Sequence, residues 1–477
     1  MTTTRVALAL GIAFSVSVFA QAQGNPQRTP LIGTALSCGA TGPTGGLGAG
    51  TDLQRYDIDT NQYPYAMCND GSKAIFYFRP FQGEANRNRW VIFLQGGGSC
   101  SSPNDCAKRW CSVDTSFSSV GMSSNPAPKP GIRGQGILER RADNPTGGWN
   151  QVLVKYCSSD KWSGTAKDVI MDADDPITGQ QVFYRTHFLG SRIIDAAIQV
   201  LRRQKGEMLT YTLGPGANVQ LPGLDDAQFV LLAGASGGGN GVQNNLDRLA
   251  AALRRTNNNC KGKTCSLEVR GLHDSAFNPT LQTLDFSMSA PCRFGICTPE
   301  AYFQFLRAEG DDAIWKAKAD SSCAEWHQAN DPDLDWQCSD EAYVIANHVT
   351  TPVFIRQGQF DRNHVPDYVK AELGVPPANT PITPAEYARL VREQAAALAD
   401  APKKGAEGAS MTTAPGAFIP TCPDHETLTD TPQVYGVRIR AGTQELSMFD
   451  VLQNWLTGKQ PSIVIAPNAA ANTCPDR

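Results

Sequence analysis

Short runs that are apolar at nearly every position recur along the chain: Trp90–Leu94, Val152–Tyr156, Phe229–Ala233 and Val353–Arg356. Runs of this length, bounded by glycine or polar clusters, predict strands covered on both faces. Ala74–Phe78 has the composition of an edge or hairpin strand, and Leu267–Leu272 alternates. A longer period separates them. Val242, Leu246, Leu249 and Leu253 fall on one helical face, as do Ile193, Ile194, Ala197 and Leu201. Pro384–Leu398 predicts a surface helix with its proline in the first turn, and Leu446–Leu456 a closing helix. Strands alternating with helices predict an α/β fold, its sheet covered on both faces, with sites at the carboxyl ends of strands.

Glycine-rich clusters leave two of these strands. Gly234-Ala-Ser-Gly-Gly238 fits G-x-S-x-G between a strand and an amphipathic helix. Such a turn exposes a serine hydroxyl, which makes Ser236 the candidate nucleophile; the plain alternative is a Gly-rich turn with a bystander serine. Gln95-Gly-Gly-Gly-Ser-Cys100 follows the first strand and can turn its N–H groups toward one point. It could bind an oxyanion, or be only a turn; the Lys-Ser/Thr ending of a phosphate loop is absent.

Charge and composition narrow the partners. Of 477 residues, 41% are hydrophobic and 18% charged, with a net charge of −4, so a large core is available and nucleic acid is not the expected partner. Residues 1–22 read as a secretory signal: Arg5, an apolar stretch from Val6 to Ala20, then Ala20-Gln21-Ala22. No later stretch is apolar enough to span a bilayer, so the mature chain is expected to be exported, extracellular or periplasmic, without an integral membrane segment. Residues 23–50 read as an extended lead-in and 51–477 as a single catalytic domain, expected to be a monomer. Residues 101–148 form a polar excursion expected at the rim or lid of a site.

Export gives meaning to the 14 cysteines. Cys106/Cys111, Cys260/Cys265 and Cys292/Cys297 are spaced for local loops, and Cys323/Cys338 for a larger one. Cys422 could tether the loop that carries His425, and Cys474 is a further disulfide candidate. No C-x-x-C pair with a histidine at zinc-ligand spacing occurs, so no metal or other cofactor is expected.

An acyl-transfer serine needs a base and an orienting acid, in the order Ser, Asp/Glu, His. Asp361 follows the strand Val353–Arg356 after a short turn; Asp274 is the rival. His425 lies in a late loop. His364, three residues from Asp361, is a second possibility, and His273 a pocket candidate at a strand end. His187 reads as structural, and His327 and His348 as surface or satisfied core residues.

Five stretches in this order resemble the pectin acetylesterase family, which also contains the Notum carboxylesterases: Leu94–Cys100, Tyr156–Gly164, Gly234–Gly239, Asp274-Ser275 and Cys422–Glu426. The resemblance implies an α/β-hydrolase-like fold, a mostly parallel sheet with disulfide-tied loop excursions. It implies nucleophile Ser236, acid Asp361 and base His425, and oxyanion donors at the backbone N–H groups of Gly97, Gly98 and Gly237. It also implies Cys100–Cys157 and Cys106–Cys111 bridges. The expected activity is removal of an acyl group, acetyl first, from an ester on a polysaccharide such as pectin. The alternatives are a lipid, aryl ester or polyester esterase, and a non-catalytic glycan-binding protein. Gly98 stands where the family usually has an aromatic, and Ala235-Ser-Gly237 where it has Cys-Ser-Ala; smaller residues would widen the acyl site.

Overall fold

A computed structural model describes residues 28–39, 47–113, 121–202, 223–262, 264–280, 314–364, 384–398 and 414–475, with 210–214, 217–220, 298 and 300–301 besides. Residues 1–22, Cys292 and Cys297 lie outside them. The main sheet has eleven strands. In chain order they are β1 Ala49–Gly50, β2 Leu53–Asp57, β3 Ile75–Arg79, β4 Arg89–Leu94, β5 Gly131–Ile132, β6 Asn150–Val154, β7 Phe229–Ala235, β8 Glu268–Asp274, β9 Val353–Arg356, β10 Gly416–Ile419 and β11 Ile463–Ile465. In space they run β1-β5-β2-β3-β6-β4-β7-β8-β9-β10-β11. From β6 to β11 every pairing is parallel, while β1, β5, β2 and β3 form an antiparallel wing.

The continuous apolar runs have a direct cause. On β7, Val230 and Leu232 enter one core, with Ile193 and Ile194 of a helix Gly190–Leu201 and Val242, Leu246 and Leu249 of a helix Gly237–Thr256. Phe229, Leu231, Ala233 and Ala235 enter the opposite core, with Phe449, Leu452 and Trp455 of a helix Met448–Thr457. Both faces are covered, so neither can be polar, and period-two alternation vanishes. In chain order the helices used below are α1 Pro103–Cys111, α2 Gly190–Leu201, α3 Gly237–Thr256, α4 Pro384–Ala397 and α5 Met448–Thr457.

Three elements differ from expectation. Leu446 and Ser447 belong to a strand Gln444–Ser447, and α5 starts at Met448, where Ser447 and Asp450 form a capping box. α5 does not close the fold, because β11 follows it. A hairpin Ala166–Asp174/Gln181–Phe188 lies outside the main sheet, and its mixed burial hides it from apolar patterning. The lead-in contributes buried Ile32 and Leu47, and Cys38 ties it to α1.

The disulfide expectations need correction. The pairs are Cys38–Cys111, Cys68–Cys157 and Cys100–Cys106, in place of Cys100–Cys157 and Cys106–Cys111. Cys106 and Cys111 both lie on α1. Five residues apart on a helix, side chains point about 140° away from each other, too far for a bridge. Cys260–Cys265 and Cys323–Cys338 pair as spacing suggests, and the partner of Cys422 is Cys474.

Candidate active site

Three parallel strands end level with one another. Gly234 of β7 is in register with Leu94 of β4 and His273 of β8. Ser236 stands just past this line, between β7 and α3, with φ 52° and ψ −126°. A positive φ is strained for a non-glycine residue and needs surroundings that enforce it. Here the Ser236 N–H donates to the Asp274 carbonyl at 2.8 Å. The flanking glycines are obligatory: a Cβ at Gly234 would overlap the Gly238 carbonyl, and one at Gly238 the Leu94 carbonyl.

Asp361 lies just beyond β9, and His425 six residues beyond β10, so the expected base too follows a strand end. That strand was not predicted from sequence. His425 Nδ1 lies 2.9 and 2.8 Å from the two Asp361 oxygens. A carboxylate only accepts, so Nδ1 carries the proton and Nε2 keeps the lone pair. Asp361 also accepts from the N–H groups of Asn363 at 3.0 Å and His364 at 3.2 Å, and from Gln357 Nε2 at 3.3 Å. Burial acts to raise the Asp361 pKa, but His364 and the bond from His425 outweigh it and hold the carboxyl well below its usual range. Burial likewise acts to lower the pKa of His425, and the Asp361 bond overturns it, leaving the imidazole raised.

Serine and histidine loops meet at Gly96. A Cβ there would overlap both the Ala235 carbonyl and the Glu426 carboxyl. The residue before the serine and the residue after the histidine thus close on one α-carbon.

The glycine loop lies against the start of α3. A Cβ placed on Gly237 would sit 3.8 Å from the Gly98 nitrogen and 4.0 Å from the Gly97 nitrogen. Gly97 and Gly98 have φ of 138° and 65°, available to glycine and strained for other residues. The loop's carbonyls are engaged. Arg109 Nη2 donates to Gly97 O, Tyr156 Oη donates to Gly98 O at 2.8 Å, and Trp162 Nε1 donates to Gln95 O at 3.0 Å. Sequence reasoning assigned no role to Arg109 or Tyr156. Tyr156 stood in a stretch that carried the family resemblance, whereas Arg109 lies in the polar excursion with no local signal.

The rival residues have other work. Asp274 accepts from Leu428 N at 3.0 Å and Ser275 Oγ at 2.9 Å and faces Arg356, so it is no partner for His425. His273 is buried within β8 with neither ring nitrogen bonded, and burial, helped by His364, pushes its pKa down to about 3, so it stays neutral. It is not a pocket residue. His187 is buried beside Asp168, whose N–H donates to its Nδ1 at 3.1 Å. His327 and His348 are buried around the Tyr343 hydroxyl. Two groups among the described residues bring ligand atoms within 4.8 Å of one another: Asp361/His364/His425 and Cys323/His327/His348. In the second, Cys323 is spent in a disulfide.

A family model described as pectinacetylesterase matches residues 50–211 and 217–475. The chain belongs to the pectinacetylesterase family. Within its reach are curated relatives of another name. The palmitoleoyl-protein carboxylesterase notum2 of Xenopus laevis is 30% identical over 306 residues, 62% of this chain and 50% of the relative. Palmitoleoyl-protein carboxylesterase NOTUM of Drosophila melanogaster is 27% identical over 364 residues, 76% and 43% of the two chains. This pectinacetylesterase-family chain spans about half the length of the curated relatives it matches. A solved structure of the Wnt deacylase Notum from Drosophila has the same fold, with a TM-score of 0.56 at 23% identity over 89% of this chain and 100% of the other. The family's name and those of the relatives all denote carboxylic ester hydrolysis.

Proposed function

We propose that this protein is a serine carboxylesterase that works through an acyl-enzyme on Ser236. The observation that carries the reading is the paired bond of His425 Nδ1 to Asp361, in a loop that closes with the strained Ser236 turn on Gly96. His425 Nε2 takes the serine proton as Oγ attacks the ester carbonyl. The N–H groups of Gly97, Gly98 and Gly237 stabilise the oxyanion, and Asp361 holds the tautomer and the imidazolium. The imidazolium then protonates the leaving alcohol, and water, activated by the same base, releases the acid.

The proposed substrate is a short acyl ester, acetyl first, on a hydroxyl-rich carrier such as pectin. Support comes from a cavity of about 390 Å³ one helical turn beyond the serine. Asn240, Gln243 and Asn244 of α3, Lys161, Lys318 and Glu341 line it together with Trp315, Ala317, Ala319, Ala324 and Pro332, so it offers carrier hydroxyls hydrogen-bond partners beside an apolar surface, while Ser236, Asp361 and His425 lie outside it. The second reading, a longer acyl chain on a lipid, polyester or protein, is favoured by the relatives' names and by the small residues Ala235, Gly98 and Gly237.

Export fits six disulfides among the described residues, where no helix is long and apolar enough to cross a membrane. We assign residues 1–22 to an export signal and 51–477 to one catalytic domain, acting as a monomer. The test is a set of rates across p-nitrophenyl acetate, butyrate, octanoate and palmitate, beside acetate release from acetylated pectin. The expected result is the highest kcat/KM at acetate with release from pectin. A maximum at octanoate or longer, with no release from pectin, supports the second reading.

A further inference from the structure

The mechanism leaves His364 unused, although it stands beside the proposed base. Its ring centroid is 5.0 Å from that of His425, edge to face at 73°. Its backbone N–H is tied to Asp361 Oδ1 at 3.2 Å, which fixes its place three residues beyond the acid. Asp361, His364 and His425 therefore offer one carboxylate oxygen and two imidazole nitrogens, all within 4.8 Å of one another.

We propose that Asp361, His364 and His425 form an inhibitory site for a zinc-like divalent cation, which switches the esterase off. Two histidines and a carboxylate are a common zinc donor set, completed by water in a fourth position. Donors on one tetrahedral zinc lie about 3.3 Å apart; His425 and Asp361 are already in contact at 2.8 Å, so it is His364 that must close on the pair, by up to roughly 1.5 Å. The movement falls to His364, which is only half-buried, whereas Asp361 and His425 are enclosed. A zinc-bound imidazole keeps its other nitrogen on a polar partner. His364 Nδ1–H has an acceptor of this kind in Tyr387 Oη at 3.4 Å.

Asp361 faces His425 Nδ1, so a zinc that keeps both takes His425 through Nδ1. It displaces the proton donated to Asp361, and the neutral ring then carries its proton on Nε2, which can no longer accept from Ser236. The base is lost while the nucleophile and glycine loop stay intact. Reversal requires only removal of the metal.

This inhibition rests on the proposed role of His425; the binding itself does not. The experiment titrates zinc chloride into the full chain by calorimetry and, in parallel, follows p-nitrophenyl acetate hydrolysis. The variants are His364→Ala and, for a milder change, His364→Gln. The expected result is one saturable zinc per chain, inhibition that a chelator reverses, and at least about tenfold weaker binding and inhibition in either folded variant, the inhibition being read against each variant's own zinc-free rate. If the protein proves inactive on esters, the calorimetric comparison still decides the site. No saturable binding by the wild type, or equal binding in wild type and a folded variant, overturns the proposal.

Discussion

The guanidinium of Arg109 donates to the Gly97 carbonyl oxygen at 2.5 Å. A trans peptide directs its N–H away from its C=O, so a bond that fixes the Gly97 oxygen also fixes the direction of the Gly98 N–H. Arg109 is fully buried on α1, and Cys38–Cys111 and Cys100–Cys106 anchor both ends of that helix. The start of the polar excursion thus buttresses the glycine loop.

Arg109→Met should lower kcat by about tenfold or more and leave KM nearly unchanged, because the oxyanion exists only after attack. Affinity for a boronic-acid transition-state analogue should fall in parallel. Tyr156→Phe, which frees the Gly98 carbonyl, should act in the same direction. A change confined to KM would contradict a role in aiming the loop.

On the proposed mechanism, the raised pKa of His425 sets the acid limb of the rate profile. The base must be neutral, so kcat/KM should rise with pH through an apparent value above the ordinary 6.5. Asp361→Asn removes the bond that favours the imidazolium and permits the wrong tautomer. It should cut kcat by about 10⁴-fold and move the limb to lower pH. A pH–rate profile of both proteins checks this.

Glu426 presses on Gly96 with Oε1 enclosed and without a hydrogen-bond partner. Burial raises its pKa to about 6. The folded state therefore prefers the neutral acid. As pH rises from the unfolded value of 4.5 through about 6, the fold loses stability, by about 2 kcal/mol once ionisation is complete. Glu426→Gln should raise Tm at pH 7.5 and give little gain at pH 4.5. Thermal melts at the two pH values read the difference.

Much of this was legible in the residues, for identifiable reasons. β4, β7 and β9 could be read because double burial makes them short unbroken apolar runs. Ser236 could be read because a strained turn demands small neighbours. β10 was not, since Gly416–Ile419 begins within an Ala/Pro-rich stretch that blurs its start. Arg109 was not, because its role depends on a loop twelve residues away and on the folding of α1. The cysteine pairs Cys38–Cys111 and Cys68–Cys157 span 73 and 89 residues, distances that spacing alone cannot assign.

Those two bridges should appear in peptide mapping of the non-reduced protein, with Cys100–Cys106 beside them. Replacing Cys68 and Cys157 together by alanine should cost about 2–5 kcal/mol, given the long loop they close. Denaturant unfolding measures it. Recovery of a Cys100–Cys157 peptide would refute the pairing.

The most direct test of the central claim is covalent labelling of Ser236. The full chain is treated with a fluorophosphonate, and its intact mass and modified peptide are read together with p-nitrophenyl acetate turnover. The account predicts one adduct per chain on Ser236, activity lost in step with labelling, and neither adduct nor measurable turnover in Ser236→Ala. An adduct elsewhere, or wild-type-like turnover by Ser236→Ala, would contradict it.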